Sequence, residues 1–305
     1  MIGNDRGYLF AYFIGEKEDE EQVYFSISED GLHWKDLNEG KPILVSETGE
    51  LGVRDPFLFR SKIDQKYYII ATDLRIASGK GWGVAQFEGS TSIIIWESVD
   101  LVHWSKERAV MVAPPGAGCV WAPETIYDAK RDEYLVFWAS MVKEEYETEV
   151  KQRIYCATTR DFIHFSETWK YIERDNHIID TTIILQNGIY YRISKDETTK
   201  NIRIDRGEDL QKGPFTPMDA PTLELLKGVE GPAAFCFHTS ETWCLMVDQY
   251  ATGGGYLPLI SEDLEHGKFR ILDETEFDMD KNKKRHGSVL GLKDFEYQTL
   301  VDYYM

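Results

Sequence analysis

Cysteine is scarce in this chain of 305 residues, which has four cysteines and no Cys-x-x-Cys pair. A chain of this length can build a hydrophobic core without a disulfide framework, and isolated cysteines do not form a zinc ribbon. We therefore expect all four to be reduced and none to be catalytic.

Long apolar runs are also missing. The run from Tyr8 to Ile14 is shorter than a signal-peptide core and far too short to span a bilayer, and no basic region precedes it. We predict a cytoplasmic location and no membrane partner.

Positive charge is in short supply, with 34 lysines and arginines against 53 acidic residues and a net charge of −19. A field of that sign repels phosphate backbones, so no nucleic-acid partner is predicted, whereas a neutral sugar is compatible. The motifs His-Glu-x-x-His, Gly-x-Ser-x-Gly and Walker A are absent, which removes support for metalloprotease, α/β-hydrolase and P-loop functions.

The chain does contain a repeated strand pattern with a polar residue near its start. Asp55 and Pro56 open the first copy, and equivalent residues follow at intervals of 69, 56, 50 and 56, namely Glu124, Asp180, Glu230 and His286. Because proline cannot donate a ladder hydrogen bond, we expect Pro56 to be the first residue of its strand. Four carboxylates at equivalent places in the repeat predict that their side chains share one axial pocket. Because like charges repel and lower stability, such a cluster indicates a function.

A second repeat ends each unit with a large aromatic residue, spaced by 70, 61, 50 and 54 residues: Trp34, Trp104, Phe165, Phe215 and Phe269. Units of this length in fixed order are typical of propeller blades, and we expect these aromatics to pack between neighbouring blades. Helical periodicity is nearly absent, although Phe295 to Tyr304 could be a helix or a strand.

The two ends of the chain complement each other. Tyr8–Ile14 and Val23–Ser28 look like a second and a third strand without a first, while Gly287–Leu292 looks like a first strand alone. We predict an all-β, five-bladed β-propeller whose ring is closed by N- and C-terminal strands in one blade, forming a single domain over residues 1–305.

Hydrolysis of a glycosidic bond needs two carboxyl groups, and the acidic strands could supply them. The ordered motifs also resemble those of glycoside hydrolase family 43: Asp55-Pro56, Trp121-Ala122-Pro123, Ile179-Asp180, Glu230-Gly231-Pro232 and Arg285-His286-Gly287. That resemblance implies a five-bladed propeller of an inverting, mostly exo-acting type that acts on arabinofuranosides, xylosides and related plant polysaccharides.

The resemblance also implies roles for individual residues. Asp55 becomes the general base that activates water, Glu230 the general acid, and Asp180 a third acid that orients Glu230 and raises its pKa. His286 matches a histidine near the axis that is often associated, through water, with calcium; a hydrogen-bonded core histidine without a metal is the alternative. No cofactor is required for the chemistry.

Four further residues are candidates for binding substrate. Trp121 and Trp82 could be stacking faces for a sugar or could pack in the core. Arg285 could hold a sugar hydroxyl or carboxylate, or balance the acidic pocket. Glu124 stands where the family often has aspartate, so its longer side chain could reshape the first sugar subsite.

The sequence thus predicts an exo-glycosidase that releases a terminal pentose from a small oligosaccharide, α-L-arabinofuranosyl first and β-xylosyl next, acting as a monomer or small homo-oligomer. The alternatives are a retaining fructosidase-like propeller, a phosphorylase propeller and a sugar-binding propeller without turnover. No Asn-Asp-Pro-Asn strand or Glu-Cys motif supports the fructosidase, and no basic phosphate pocket supports the phosphorylase.

Overall fold

The computed structural model describes residues 4–305, which form five antiparallel four-stranded sheets. Blade 1 consists of β4 (Val53–Arg60), β5 (Tyr67–Asp73), β6 (Ser92–Ser98) and β7 (Arg108–Met111). Blade 2 consists of β8 (Trp121–Asp128), β9 (Glu133–Val142), β10 (Lys151–Thr159) and β11 (Trp169–Ile172). Blade 3 consists of β12 (Ile178–Gln186), β13 (Ile189–Asp196), β14 (Asn201–Gly207) and β15 (Thr216–Pro217). Blade 4 consists of β16 (Glu230–Cys236), β17 (Trp243–Asp248), β18 (Tyr256–Asp263) and β19 (Lys268–Ile271).

The fifth sheet, which we call the closing blade, combines both ends of the described chain. Its strands, in order, are β20 (Gly287–Lys293), β1 (Asp5–Tyr12), β2 (Tyr24–Ser28) and β3 (Trp34–Asp36). β20 pairs antiparallel with β1, with Gly287 opposite Tyr12. The innermost strands β4, β8, β12, β16 and β20 contact one another in sequence around a ring. The predicted five-bladed propeller and its mode of closure are therefore confirmed.

The closing blade is also fixed to blade 1 by a side chain. Ser288 Oγ accepts a hydrogen bond from the Leu58 amide at 2.7 Å and donates one to the Pro56 carbonyl at 3.0 Å. Both bonds are buried, so they bind the last strand of the ring to the first complete blade.

Hydrophobic side chains fill the spaces between neighbouring blades, and the five apolar clusters each join two adjacent sheets. Each predicted aromatic lies in a different cluster, in the order Trp104, Phe165, Phe269, Phe215 and Trp34. The expected packing of these aromatics between blades is confirmed.

The residues before the aromatic form a repeated hydrogen-bonded turn. In the closing blade, Asp30 accepts hydrogen bonds from the Leu32 and His33 amides, both at 2.8 Å, and its second oxygen lies 2.7 Å from His33 Nδ1. Asp100 repeats the arrangement in blade 1. Although partial burial opposes it, these bonds lower the pKa of both Asp30 and Asp100 to about 2.

The described residues also form three short α-helices, α1 (Gly81–Phe87), α2 (Pro221–Leu225) and α3 (Asp294–Tyr304), and three 3₁₀ helices, Asn38–Gly40, Ile76–Ser78 and Leu264–His266. The segment from Phe295 is thus a helix, which buries Leu300 against the closing blade. Among residues 4–305, no helix is both long enough and apolar enough to cross a membrane. All four cysteines are free, and burial raises the pKa of Cys119 to about 11.

Candidate active site

A β-bulge interrupts the innermost strand in each of blades 1 to 4. In every case one residue of the bulge has a positive φ between 47° and 54°, a conformation that non-glycine residues rarely adopt: Asp55, Ala122, Asp180 and Gly231. This conformation is strained at the three non-glycine positions, and strained backbone of this kind is typical of functional sites.

The bulges correct two expectations from the sequence. Pro56 is not the first residue of its strand, because β4 begins at Val53; the bulge removes Asp55 and Pro56 from the ladder, so the missing amide hydrogen is not needed. The four acids are also not equivalent. Asp55 and Asp180 occupy the bulge itself, whereas Glu230 precedes its bulge and Glu124 follows one.

Asp55 is held between two blades and the residue before β20. Its Oδ2 accepts a hydrogen bond from Thr72 Oγ1 at 2.7 Å, and its Oδ1 lies 3.2 Å from His286 Nδ1. Thr72 Oγ1 in turn accepts the Ala122 amide of blade 2 at 2.8 Å. Burial alone would raise the pKa of Asp55, but the charge and hydrogen bond of His286 lower it below the ordinary value. Asp55 is therefore a fixed carboxylate.

Asp180 faces the same imidazole from blade 3. Its Oδ2 lies 4.0 Å from His286 Nδ1 and accepts the Gly231 amide at 3.0 Å. A Cβ on Gly231 would lie 2.6 Å from His286 Cγ, so only glycine fits between the two side chains. Burial raises the pKa of Asp180 despite the nearby imidazole, which partly offsets the effect.

Glu230 is bound by two cations. Lys195 Nζ donates to Oε2 at 2.8 Å, and Arg285 Nη2 donates to Oε1 at 2.9 Å. Arg285 is further hydrogen-bonded through Nε to Asp248, whose side chain is fully buried. The guanidinium therefore balances two carboxylates, which matches the charge-balancing alternative for Arg285.

The direction of the pKa shift on Glu230 differs from the expectation that a neighbouring carboxylate raises it. Burial does favour a higher pKa, but the charge of Lys195 and its hydrogen bond, followed by Arg285, bring the pKa below the ordinary value. In the absence of sugar, Glu230 is therefore a carboxylate at neutral pH.

Glu124 is the carboxyl group of this cluster that remains protonated. It is 4% exposed and, among the ion pairs of the described residues, it has none. Burial raises its pKa from 4.5 to about 8; the imidazole of His286 opposes the rise, and the negative charges of Asp180 and Asp55 add to it. Glu124 is thus a neutral acid at pH 7, which its sequence position did not indicate.

His286 lies at the centre of these groups, and we call Asp55, Glu124, Asp180, Glu230 and His286 the axial cluster. Burial disfavours the imidazolium, but the charge of Asp55, its hydrogen bond to the ring and the charge of Asp180 raise the pKa of His286 to about 9. The ring is therefore protonated at neutral pH, and its positive charge stabilises the neighbouring carboxylates.

These contacts do not suit direct coordination of calcium by His286, whereas the sequence suggested an association through water. Its Nδ1 is bonded to a carboxylate, and a protonated imidazole offers no lone pair to a metal. Within residues 4–305, no group of three histidine, cysteine, aspartate or glutamate side chains has an arrangement suited to a metal ion. We therefore derive no step through calcium.

Two of the predicted aromatics contact each other near the start of β8. Trp82 on α1 and Trp121 at the start of β8 are arranged edge to face, with ring centroids 5.9 Å apart. The guanidinium carbon of Arg54, which precedes Asp55, lies 4.9 Å from the Trp82 ring. Trp82 is 45% exposed, so its ring can still contact a ligand.

Sequence reasoning missed the residues that the second strands of blades 1, 3 and 4 supply. Thr72, Lys195 and Asp248 are the last or second-last residues of these strands and lie opposite Arg54, Ile179 and Glu230, respectively. A polar residue near the end of an otherwise apolar strand was the available signal in β5 and β17, but β13 also contains Arg192 and Ser194 and gave no such signal.

One large surface cavity lies elsewhere. It has a volume of about 980 Å³ and is lined by residues of blades 3 and 4, including Asn187, Tyr191, Asp209 and Glu265. It includes no member of the axial cluster, and the mostly acidic and amide side chains in its lining do not form a recognisable catalytic group.

Comparison with known proteins agrees with this architecture. Residues 4–298 match a family related to glycoside hydrolase family 43 and described as "Probable glycosyl hydrolase domain". The chain is 30% identical over 255 residues to an α-L-arabinofuranosidase of Bifidobacterium longum subsp. longum, a match covering 74% of this chain but 23% of that protein.

Solved structures at low identity share the fold. An endo-1,4-β-xylanase from Bacteroides thetaiotaomicron has a TM-score of 0.58 at 14% identity, covering 92% of this chain and 93% of that one. The catalytic domain of a family 62 α-L-arabinofuranosidase from Coprinopsis cinerea has a TM-score of 0.54 at 13% identity, covering 80% and 75%. On the match over residues 4–298, this chain belongs to the glycosyl hydrolase family related to glycoside hydrolase family 43.

Proposed function

We propose that this chain is an inverting exo-glycoside hydrolase that releases a terminal pentose, with α-L-arabinofuranosyl as the first candidate and β-xylosyl as the second. The observation that carries the proposal is the convergence of three acids from three blades on one small region. Asp55 and Asp180 face the same imidazole, and Asp180 accepts the amide of the residue that follows Glu230.

In the proposed reaction, Asp55 is the general base. Its low pKa and its fixed position beside His286 keep it ionised, so it can accept a proton from a water molecule that attacks the anomeric carbon. The bond from that carbon to the leaving oxygen breaks as the new carbon–oxygen bond forms. Attack from the face opposite the leaving group gives an inverted product.

Glu230 is the proposed general acid, which donates its proton to the leaving oxygen. Because Lys195 and Arg285 keep it ionised beforehand, it must take up a proton from solvent as the substrate binds. A sugar that fills the site excludes water, and the resulting desolvation favours the neutral form of a buried carboxyl group. Asp180 contributes in the same direction through its negative charge, and it positions Gly231 beside Glu230.

The pentose class rests on the curated relative, whose name is α-L-arabinofuranosidase, and on 30% identity over 255 residues. We propose that Trp82 and Trp121 bind the sugar or its leaving group, since the Trp82 ring contacts both Trp121 and Arg54, the residue before Asp55, and is accessible. The substrate would be a small plant-derived oligosaccharide.

The deciding experiment compares Asp55→Asn and Glu230→Gln on two arabinofuranosides whose leaving groups differ in acidity. A general acid matters least when the leaving group is already stable as an anion. Glu230→Gln should therefore lose about 10²–10⁴-fold on the poor leaving group and much less on the good one. Asp55→Asn should lose activity on both.

Glu124→Gln tests the competing proton donor, because Glu124 is neutral at pH 7. Glu133→Gln, at the opposite end of blade 2 from Trp121, is the matched control and should behave as wild type. If the dependence on the leaving group follows Glu124 and not Glu230, the assignment of the acid is wrong.

Proton NMR of freshly released arabinose tests inversion. A product that keeps the substrate configuration would favour the retaining alternative, and activity that depends on inorganic phosphate would favour the phosphorylase. Binding of oligosaccharide without release of any sugar would favour the non-catalytic propeller.

A further inference from the structure

Lys195 has an unusual place for a lysine. It lies in β13 opposite Ile179, next to the bulge at Asp180, and its side chain is 3% exposed. A buried ammonium group is costly unless it is paired, and Lys195 is paired with Glu230 of the neighbouring blade at 2.8 Å. The Tyr250 ring, 4.3 Å from Nζ, covers it from another side.

Glu197 is the second partner of Lys195, and it competes only weakly with Glu230 for the charge of the ammonium group. Glu197 lies 2.7 Å from Lys195 Nζ, but its side chain is 28% exposed and it also pairs with Lys200. The other cation on Glu230, Arg285, is shared with a fully buried carboxylate, Asp248, so its charge is balanced whether or not Glu230 is ionised.

We propose that Lys195 is a positioning residue that fixes both the place and the charge of Glu230 while no sugar is bound, an inference that rests on the proposed role of Glu230 as general acid. The side chain crosses from blade 3 to blade 4 and so holds Glu230 at a defined distance from Asp180. It also opposes protonation of Glu230 until a substrate excludes water from the site.

Lys195 is not alone in facing Glu230, so its contribution has to be separated from that of its neighbours. The other charged groups around this carboxylate are Arg285, Asp180, Asp248 and Arg54. Among the causes that lower the pKa of Glu230, Lys195 is the largest, through both its charge and its hydrogen bond.

Removing the ammonium therefore has a predictable sign. Without Lys195, the neutral form of Glu230 is favoured, and Glu230 keeps its proton to higher pH. The alkaline limb of the profile of kcat/KM against pH reports loss of that proton in the free enzyme. In Lys195→Met this limb should move upward by about one to two pH units, and kcat should fall because Glu230 is less well placed.

Two variants separate this role from a merely structural one. Lys195→Arg retains the charge and should return the alkaline limb close to that of wild type. Lys66→Met removes a lysine that pairs with Glu97 in blade 1 and contacts neither Glu230 nor Glu197, so its profile should not change. An alkaline limb that is unmoved in Lys195→Met, with only a uniform loss of rate, would overturn the proposal.

A titration that does not need turnover separates this proposal from the proposed function. The carboxyl carbon of Glu230 can be followed by ¹³C NMR and assigned by its loss in Glu230→Gln. Its midpoint should rise in Lys195→Met by the same one to two pH units. If wild type hydrolyses no pentoside, the proposed function fails, while this midpoint still decides the role of Lys195.

A further variant covers the case in which Lys195→Met does not fold. Glu197→Gln removes the competing carboxylate and leaves Lys195 in place, so Lys195 interacts more strongly with Glu230. The Glu230 midpoint should then fall, which is opposite in sign to the effect of losing Lys195. A midpoint that stays at the wild-type value would contradict the inference.

Discussion

Replacing Glu124 with glutamine is expected to stabilise the folded protein at alkaline pH and to leave its stability near pH 5 almost unchanged. In the folded protein, burial raises the pKa of this carboxyl group from 4.5 to about 8. The unfolded chain releases the proton at about the ordinary value. The stabilising contribution of protonated Glu124 is thus fully present below pH 4.5 and is lost as the pH rises through about 8.

The size of the effect follows from the same shift. Each pKa unit is worth 1.36 kcal/mol, so a rise from 4.5 to about 8 corresponds to about 5 kcal/mol, most of it lost between about pH 5 and pH 8.5. Part of this free energy comes from the repulsion between Glu124 and the neighbouring Asp180 and Asp55, so it is not a property of Glu124 alone. We therefore expect Glu124→Gln to exceed wild type by about 2–4 kcal/mol at pH 8.5, since the amide has the shape of the acid and never ionises.

Deprotonation of His286 also lowers the stability of the folded protein at alkaline pH, so the comparison must separate its effect from that of Glu124. The pKa of His286 is raised from 6.5 to about 9, so its contribution is fully present below 6.5 and is lost as the pH rises through about 9 in both proteins. Urea unfolding followed by tryptophan fluorescence at the two pH values measures the difference, with Glu133→Gln as the matched variant. If wild type and Glu124→Gln lose stability equally between them, Glu124 is not a buried neutral acid.

Three other predictions concern local features. Gly231→Ala should destabilise the protein by at least about 2 kcal/mol more than Gly188→Ala in thermal unfolding, because a Cβ meets His286 at position 231 and nothing within 4 Å at position 188. Asp100→Asn should lower the melting temperature near pH 5 but not near pH 2, since the contribution of Asp100 is present above its ordinary pKa and is lost as the pH falls through about 2. Trp82→Ala should raise KM for arabino-oligosaccharides with little change in melting temperature, because the ring is 45% exposed; an unchanged KM would remove Trp82 from the binding site.

Much of the fold could be predicted because its strongest signals are local. The aromatic that ends each unit, such as Trp104 or Phe165, follows an Asp-containing turn at a regular interval, and interblade packing needs a large apolar group at that point. Ring closure was predicted from a missing first strand at one end and a spare one at the other.

The bulges could not be predicted in the same way. A bulge shifts the register of a strand by one residue, and this shift can be seen in a sequence only when apolar and polar residues alternate. The innermost strands are buried on both faces and lack that alternation. Proline therefore looked like the start of β4, and acids on either side of a bulge looked equivalent. The contact of two cations with Glu230 could not be predicted for a related reason: Lys195 comes from a neighbouring blade and Arg285 lies 55 residues further along the chain.

The closing strand has a consequence for how the molecule is assembled. β20 begins immediately after His286, so we expect completion of the ring to bring the imidazolium to the carboxylates in the same event. Before that event, Asp55 and Asp180 lack their shared counter-charge, and Ser288 has yet to meet a partner 230 residues away in the chain. Docking between such distant segments is slow, so mildly acidic conditions that neutralise the open ring should hasten the last step of refolding.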